Sequence, residues 1–278
     1  MLQSERAGGI QLKNATHLAA MRAAGRLSAE CLAHVISQVA PGITTLDLDD
    51  LVNQFAERHG ATPAPLGYRG FPRSVCTSIN EVICHGIPDR KAVLQEGDIV
   101  GIDVALILEG FHGDNAATVA VGDVDESARK LLCATLEAQR RAIAVVRPGA
   151  RLGDVGHAIQ SHVEPLGYSV VRDFVGHGVG RHFHEEPQVP HYGTPGRGTR
   201  LRAGLTFTIE PMINAGVPEI EILADGWTAL TADRSLSAQY EHTLEVTEDG
   251  VRVLTVQNDE GRWEPPGRWT PPGFPAPS

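Results

Sequence analysis

The sequence predicts an α+β fold assembled from two similar halves. Segments with the apolar spacing of helices alternate with segments typical of strands, and one pattern recurs 107 residues further along the chain. This shift superimposes residues 41–60 on 148–167 and residues 94–103 on 201–210. One offset that serves two separate segments favours two αβ halves, about 12–122 and 123–256, related by a pseudo-two-fold axis. Two helix–Pro-Gly–helix modules without a common origin would give the same pattern.

The predicted helices follow from apolar spacing and from the residues that start and stop them. Residues 15–40 place apolar side chains three or four positions apart, and Pro41 and Gly42 end the pattern. A threonine pair at 44–45 provides a cap for a second helix that ends at Gly60. The segments predicted as strands are 97–108, 114–121, 205–213 and 240–255.

Composition excludes several classes of protein. The chain has 278 residues with 24 Lys+Arg against 34 Asp+Glu, a net charge of −10, which argues against a dedicated binder of nucleic acid or anionic membranes. It has no apolar run of the roughly 20 residues that a membrane span requires, and its N-terminus does not resemble a secretory signal. The four cysteines have no metal-binding spacing, so we expect free thiols and a cytoplasmic location.

The C-terminal segment differs from the rest of the chain. Residues 261–278 contain six prolines and the near-repeat RWEPPG–RWTPPG. We therefore expect residues 257–278 to form a tail that is extended or disordered.

Two aspartates are predicted to meet on one face of a hairpin. Residues 97–122 contain two apolar runs on either side of a predicted turn at Glu109 and Gly110. With a loop of two or four residues, Ala105 faces Asp114, and Asp103 and Asp114 become diagonal neighbours. A three-residue loop would send the two carboxylates to opposite faces.

More acids and several histidines have similar surroundings. Glu210 lies on the polar face of an apolar strand, at the position that the repeat aligns with Asp103, and Glu241 precedes a second alternating strand. Because clustered carboxylates raise one another's pKa, a group of them suggests a site for divalent cations. Glycines around His177 and His184 permit both to line one cavity, and His85 follows an apolar run. His112, His182 and His242 are interpreted as structural, and the remaining histidines, His191 among them, as surface or helix residues.

Motifs typical of serine hydrolases, of HExxH zinc peptidases and of phosphate-binding loops do not occur. The glycine-rich segment 176–181 lacks the following lysine of a GxxxxGK[ST] loop, and neither HExxH nor GxSxG is present.

Five motifs together resemble one enzyme family. The segments 74–89, 97–114, 176–189, 206–212 and 233–243 are similar to the bacterial, type I methionine aminopeptidases, and the resemblance covers about residues 12–256. The family implies the pita-bread fold, in which a central curved antiparallel sheet is covered by helices. It also implies that residues 1–256 form a single catalytic domain and that the chain is a monomer.

The resemblance implies a site for two divalent metal ions, Mn, Fe(II) or Co. In this chain the implied metal ligands are Asp103, Asp114, His177, Glu210 and Glu241. Asp103 would bind one ion, Asp114 and Glu241 would bridge the pair, and His177 with Glu210 would complete the other. Glu210 would also act as general base. His85 and His184 would contact the substrate, His184 stabilising the oxyanion and His85 assisting near the scissile nitrogen.

The implied substrate is the N-terminal methionine of a nascent polypeptide whose second residue is small, with a transient ribosome contact and no sequence-specific binding of nucleic acid. The implied substrate-binding residues are Tyr68, Phe71, Cys76, Phe183 and Trp227. The chain departs from the family pattern at Pro65, Phe71, Gly101 and Ala105, which puts the rim of the cavity and a hydrogen bond behind the metals in doubt.

Two other functions are considered. X-Pro aminopeptidases and prolidases share the fold and the five ligands, but they generally carry an additional N-terminal domain, whereas only about a dozen residues precede the first predicted helix. A metal-free binding module of the same fold would have no reason to keep five ligand positions intact.

Overall fold

The computed structural model describes residues 9–256, in which the chain forms four helices and fifteen strands. The predicted tail lies outside these residues. The helices are α1 (Ala15–Ile36), α2 (Thr45–Arg58), α3 (Glu126–Ala144) and α4 (Leu152–Val163), and short 3-10 turns occur at Tyr68–Gly70 and Glu164–Leu166. The strands are β1 (Thr62–Pro63), β2 (Cys76–Ile79), β3 (Val82–Cys84), β4 (Ile99–Leu108), β5 (Phe111–Ala120), β6 (Ser169–Val170), β7 (Gly176–Gly178), β8 (Glu185–Val189), β9 (Thr206–Ile209), β10 (Met212–Asn214), β11 (Ile220–Ile222), β12 (Ala229–Thr231), β13 (Ser237–Gln239), β14 (His242–Val246) and β15 (Val251–Val253).

All named strand pairs are antiparallel, and within the described residues they form four sheets. The sheet of the first half has the order β1-β4-β2, with β5 also paired to β4. The largest sheet of the second half has the order β15-β14-β9-β7-β8. A bridge between Ala117 and Tyr240 connects the two, so strands from both halves run side by side.

The hairpin β4–β5 has the predicted register. Ala105 pairs with Asp114, because Glu109 and Gly110 form a two-residue turn with φ of 50° and 77°. The opposite face of β4 is apolar, and Ile102 and Val104 pack in a core with residues of α1 and α2. Because side chains alternate along a strand, burial of this apolar face fixes the register of β4. Asp103 and Asp114 then lie together on the other face of the hairpin.

The first helix is shorter than predicted. Asn14 caps α1 by accepting a hydrogen bond from the N–H of His17, but the helix ends at Ile36 and not at residue 40. The N–H groups of Gln38 and Val39 bond three residues back, in turn geometry, which redirects the chain so that the N–H of Gly42 can donate to Leu94 O at 2.8 Å. The chain reversal therefore begins before the proline and glycine that the sequence suggested.

Two predicted strands are each divided in the structure. The segment 205–213 forms β9 and β10, which are separated at Glu210 and Pro211, where the proline has no N–H to donate to a sheet. The segment 240–255 forms the hairpin of β14 and β15, with a turn closed by the bond from Thr247 N to Gly250 O. Both breaks depend on the partners of the strands, which apolar alternation does not indicate.

Backbone contacts recur at the predicted offset of 107 residues. Thr44 bridges Val93 in the first half, and Arg151 bridges Arg200 in the second. Likewise the bond from Gly42 N to Leu94 O has its equivalent in a bond from Gly149 N to Leu201 O at 3.0 Å. Each bridge precedes a helix whose third residue caps its own N-terminus, Asp47 in α2 and Asp154 in α4.

A second core covers the sheet of the second half. Helices α3 and α4 pack against each other, and their residues Leu131, Ile143 and Ile159 share one buried core with Phe207 on β9. The four cysteines are all free, as predicted. Within the part of the chain that the structure describes, no helix combines the length and the apolar character needed to cross a bilayer.

The close contact between α1 and β5 gives a stability prediction. A Cβ added at Gly113 would lie 2.3 Å from the backbone oxygen of Ala24, so we expect Gly113→Ala to push α1 away from β5 and to lower the free energy of unfolding by about 1–3 kcal/mol. The matched control is Gly250→Ala, where the added Cβ meets nothing within 4 Å. Denaturant unfolding of both variants tests this, and equal stability would show that the helix and strand do not pack this closely.

Candidate metal centre and active site

Three side chains from both halves of the chain converge on one point. Asp114 on β5, His177 on β7 and Glu241 at the start of β14 place one ligand atom each within 4.8 Å of one another. Glu241 reaches this point because its N–H donates to Ala116 O at 2.8 Å, which holds its backbone against β5. Asp114 and Glu241 are each only 3% exposed.

The other two predicted ligands lie beside this cluster. Glu210 Oε1 is 3.5 Å from His177 Nε2, and Asp114 Oδ2 is at the same distance from that nitrogen. Asp103 lines the same cavity as these residues and is partly exposed to it. Its pairing with Ala116 makes it the diagonal neighbour of Asp114, as predicted.

The imidazole of His177 is oriented toward the acids. Its Nδ1 lies 3.0 Å from Gly178 O and is therefore the donor, which leaves the lone pair of Nε2 directed at the carboxylates. Burial lowers the pKa of His177 to about 4, so the ring is neutral at pH 7. A neutral imidazole is the form that binds metal ions.

Without a cation, the acids destabilise one another in their charged form. Burial raises the pKa of Asp103 to about 7. Burial, opposed by a bond from Thr208 and assisted by the charge of Asp103, raises the pKa of Glu210 to about 8. Burial and then the neighbouring acids raise the pKa values of Asp114 and Glu241 well above the usual range. Four carboxylates and one neutral imidazole are a donor set that fits hard or intermediate divalent cations.

Three residues that hold Glu210 were not identified from the sequence. Thr208 Oγ1 donates to Glu210 Oε1 at 2.7 Å, and Gln239 Nε2 donates to Oε2 at 3.4 Å. His191 Nε2 accepts the backbone N–H of Glu210 at 3.2 Å. The interpretation of His191 as a surface or helix residue is wrong, because the side chain is fully buried. Thr208 shares a strand face with Glu210 and could have been found by alternation, whereas no sequence pattern marks His191.

The acids form one side of a cavity of about 140 Å³. All the residues predicted to bind substrate line it: Tyr68, Phe71, Cys76, His85, Phe183, His184 and Trp227. The structure therefore brings every predicted site residue to one cavity. Pro65 and Arg69, neither of which was predicted to bind substrate, complete its rim.

The two remaining cavity histidines are held by aromatic neighbours. The ring of His184 lies 4.1 Å from that of His177 and 4.5 Å from that of Phe183. His85 packs edge-on against Trp227 and against Phe174, a residue that sequence reasoning missed. Burial lowers the pKa of His85 to about 4 and that of His184 to about 2. Both rings are therefore neutral hydrogen-bonding groups at pH 7.

The opposite side of the cavity is apolar. Tyr68 and Phe183 pack edge-to-face at 5.0 Å, and Phe71 and Trp227 do so at 5.1 Å. Cys76 is buried opposite Asp103 in the β2–β4 ladder, and burial raises the pKa of its thiol well above the usual value. The thiol remains protonated and acts as a small polarizable wall of the cavity.

A family model matches this arrangement over most of the chain. Residues 19–248 match the model of metallopeptidase family M24. The chain belongs to metallopeptidase family M24. As a metallopeptidase of this family it is a hydrolase that requires a divalent metal ion, and the cluster around His177 provides a suitable set of donors.

Individual M24 relatives match nearly their whole length. The chain is 56% identical over 247 residues to methionine aminopeptidase A of Synechocystis, covering 89% of this chain and 98% of the relative. It is 50% identical over 253 residues to the methionine aminopeptidase of Escherichia coli K12, covering 90% and 96%. The predicted resemblance to bacterial methionine aminopeptidases is therefore confirmed.

Solved structures of M24 enzymes share the fold. The methionine aminopeptidase of Rickettsia prowazekii superimposes with a TM-score of 0.88 at 50% identity, covering 89% of this chain and all of the other. The prolidase of Pyrococcus furiosus superimposes with a TM-score of 0.70 at 22% identity, and the match covers 66% of that longer chain. These neighbours confirm the predicted α+β, pita-bread fold.

The buried acids of this M24 chain give a pH prediction. Above pH 7 the cavity histidines are neutral whether the chain is folded or unfolded, but the folded state still holds carboxyl protons that the unfolded state does not. The metal-free protein in chelator should therefore lose stability as the pH rises from 7 to 8.5, and less steeply in Asp114→Asn, which has one fewer acid to ionise. Thermal melting at each pH measures this.

Millimolar Mn²⁺ provides the second part of that measurement. A bound cation stabilises the ionised carboxylates. In Mn²⁺, the wild-type protein should therefore lose less thermal stability between pH 7 and 8.5 than it does in chelator. Parallel pH profiles for wild type and Asp114→Asn in chelator would contradict the account of the buried acids.

Proposed function

We propose that the chain is a methionine aminopeptidase, which uses two divalent metal ions to remove the N-terminal methionine from peptides whose second residue is small. The observation that carries this proposal is the joining of an acid–histidine cluster to an apolar, aromatic-lined cavity in a single site. The names of the relatives at 50–56% identity support it.

The proposed ligands divide between two ions. Asp103 would hold the first ion, Asp114 and Glu241 would be shared by the pair, and His177 with Glu210 would hold the second. The convergence of Asp114, His177 and Glu241 within 4.8 Å supports this assignment. A site rich in carboxylates suits Mn, Fe(II) or Co better than a thiolate site for zinc would.

Glu210 is the proposed general base. When bound, the metal pair supplies Lewis acidity and lowers the pKa of water in the site. Glu210 takes a proton from the attacking water and passes it to the leaving amine. The hydrogen bonds from Thr208 and Gln239 hold the carboxylate in place, and the bond from its own N–H to His191 fixes the backbone beneath it.

His184 and His85 are proposed to contact the scissile peptide. As neutral rings they donate a hydrogen bond without adding a positive charge, His184 to the carbonyl oxygen and His85 near the leaving nitrogen. Ring packing against Phe183 and Trp227 supports fixed orientations for both. Holding the two histidine rings in the correct orientation before the reaction increases its rate.

The cavity accounts for the proposed specificity. The methionine side chain packs against Tyr68, Phe71, Cys76, Phe183 and Trp227, because a thioether binds well to aromatic rings. The free α-amino group of the substrate would bind the second metal ion, which would make the enzyme an exopeptidase. The second residue must be small because the histidines and acids occupy the space beside it.

The prolidase alternative is less well supported. The structural neighbours that are prolidases or X-Pro peptidases, at 17–22% identity, share the fold, and the match covers only 61–66% of their chains. A metal-free binding module is disfavoured because the five ligand positions are intact and gathered at one cavity. We further propose that residues 1–256 form one catalytic domain that acts as a cytoplasmic monomer, in transient contact with the ribosome.

Peptide cleavage tests the proposal. The purified chain with Mn²⁺ should release methionine from Met-Ala-Ser and should leave Gly-Pro peptides intact. Hydrolysis of Gly-Pro in preference to Met-Ala-Ser would favour the prolidase alternative, and no hydrolysis of either in a metal-loaded protein would favour the binding module.

Substitution of the proposed base gives a quantitative prediction. Glu210→Gln should lower kcat for Met-Ala-Ser by about 10²–10⁴-fold, because proton transfer by a positioned side chain contributes on that order. The matched control is Glu57→Gln on the exposed face of α2, which should retain wild-type kcat. Metal content is measured in both, and a Glu210→Gln enzyme with wild-type kcat would rule out the assignment of the base.

A further inference from the structure

Two neighbouring segments of the second half carry a concentration of arginines. We call residues 147–151 and 197–202 the arginine ribbon, and its basic residues are Arg147, Arg151, Arg197, Arg200 and Arg202. Arg151 is half-buried and the other four are exposed. The ribbon is therefore strongly basic on a chain whose net charge is −10.

The backbone of the ribbon is fixed by hydrogen bonds. Leu201 N donates to Ala150 O at 2.8 Å, and Leu152 N donates to Thr199 O at 3.0 Å. Arg151 and Arg200 form a bridge pair between these bonds, and Arg151 Nη1 donates to Gly198 O at 2.8 Å. The arginines thus project from a rigid platform.

The guanidinium groups of the ribbon make no close ion pair with acids of the described chain: within residues 9–256, none of the five arginines lies within 4 Å of a carboxylate oxygen. Asp154 is the acid next to the ribbon. It accepts the N–H groups of Gly196 and Arg151 at 2.6 and 2.8 Å, and these bonds, with smaller contributions from the charges of Arg147 and Arg151, lower its pKa. One carboxylate therefore offsets only part of the charge of five arginines.

The first half of the chain provides an internal comparison. The same ribbon occurs there, with Thr44 bridged to Val93 at the positions of Arg151 and Arg200. The five positions that correspond to the arginines hold Ala40, Thr44, Arg90, Val93 and Gln95. The fold therefore does not require five arginines, and the concentration of arginines at these positions is specific to the second copy.

We propose that the arginine ribbon binds the phosphate backbone of an RNA helix. All five basic residues are arginines, whose planar fork donates two hydrogen bonds to phosphate oxygens. Contacts to the backbone alone carry no sequence preference.

An anionic membrane fits the ribbon less well. A membrane-binding surface inserts large apolar side chains between its basic residues. Of the large apolar side chains exposed within residues 9–256, none belongs to the ribbon, whose remaining exposed or half-buried positions are glycine, alanine, proline and threonine. The choice of RNA over other polyanions rests on the proposed function, because a peptidase of nascent chains meets RNA at the ribosome.

The ribbon lies outside the catalytic cavity. Arg202 precedes β9 and Glu210 follows it, so the two residues lie at opposite ends of this strand. None of the five arginines lines the cavity. RNA binding and peptide cleavage can therefore be measured separately, and failure of one does not imply failure of the other.

The experiment measures binding of the full chain to a fluorescein-labelled RNA duplex of about 20 base pairs by fluorescence anisotropy at several KCl concentrations. We expect a dissociation constant of about 10⁻⁴–10⁻⁶ M at physiological salt, which is the range for non-specific binding to the backbone, and tighter binding at lower salt. A triple variant, Arg147→Gln with Arg197→Gln and Arg200→Gln, should bind about tenfold or more weakly. Its slope of log affinity against log salt should be smaller by about 2–3, at roughly 0.9 for each phosphate that the variant no longer neutralises.

The matched control is a second triple variant, Arg58→Gln with Arg90→Gln and Arg252→Gln, which removes the same charge elsewhere and should bind within about twofold of wild type. Both variants should keep wild-type melting temperature and cleavage of Met-Ala-Ser, which shows that they are folded. Equal weakening in both variants, or a wild-type chain that binds phosphatidylglycerol vesicles and not the duplex, would overturn the proposal.

Discussion

The site depends on holding several carboxylates together in a region with little water. Asp114 and Glu241 are almost fully buried, Glu210 is nearly so, and burial raises the pKa of each of them as well as that of Asp103. Such a cluster is unfavourable unless cations neutralise it, so the rest of the molecule must position the acids against their mutual repulsion. Packing supplies that position. The apolar face of β4 is buried against α1 and α2, Phe207 on β9 is buried against α3 and α4, and the acids occupy the faces that remain.

The two halves of the chain contribute to the site in different ways. The first half supplies Asp103 and Asp114 from one hairpin, whose two-residue turn sets which side chains share a face. The second half supplies His177 from β7, Glu210 from the end of β9 and Glu241 from the residue before β14, and a bridge from Tyr240 to Ala117 joins this half to the hairpin. Thr208, Gln239 and His191 then fix Glu210 through both carboxylate oxygens and its backbone N–H. Residues that orient a catalytic group in this way contribute to the chemistry without touching the substrate.

Sequence reasoning recovered those parts of the site that depend on local periodicity. Alternation along β4 and the two-residue turn were enough to place Asp103 and Asp114 on one face, and the resemblance to a family predicted which other residues line the same cavity. Sequence reasoning failed where a helix end or the burial of a side chain depends on contacts between residues distant in the chain. The early end of α1 reflects the bond between Gly42 and Leu94, and the burial of His191 reflects its position behind Glu210, 19 residues away. The spacing of residues in the sequence does not predict such contacts. Alternation along β9, in contrast, was sufficient to predict that Thr208 lies on the same face as Glu210.

The most direct test of the account is the position of metal ions in a crystal of the full chain grown with Mn²⁺. Anomalous scattering should reveal two manganese ions about 3.5–4 Å apart, the separation typical of two-metal hydrolytic sites. Asp114 and Glu241 should each contact both ions, Asp103 should contact one, and His177 with Glu210 should contact the other. A pair of ions bound elsewhere, or a fully loaded crystal in which Asp114 and Glu241 do not touch manganese, would contradict the central claim.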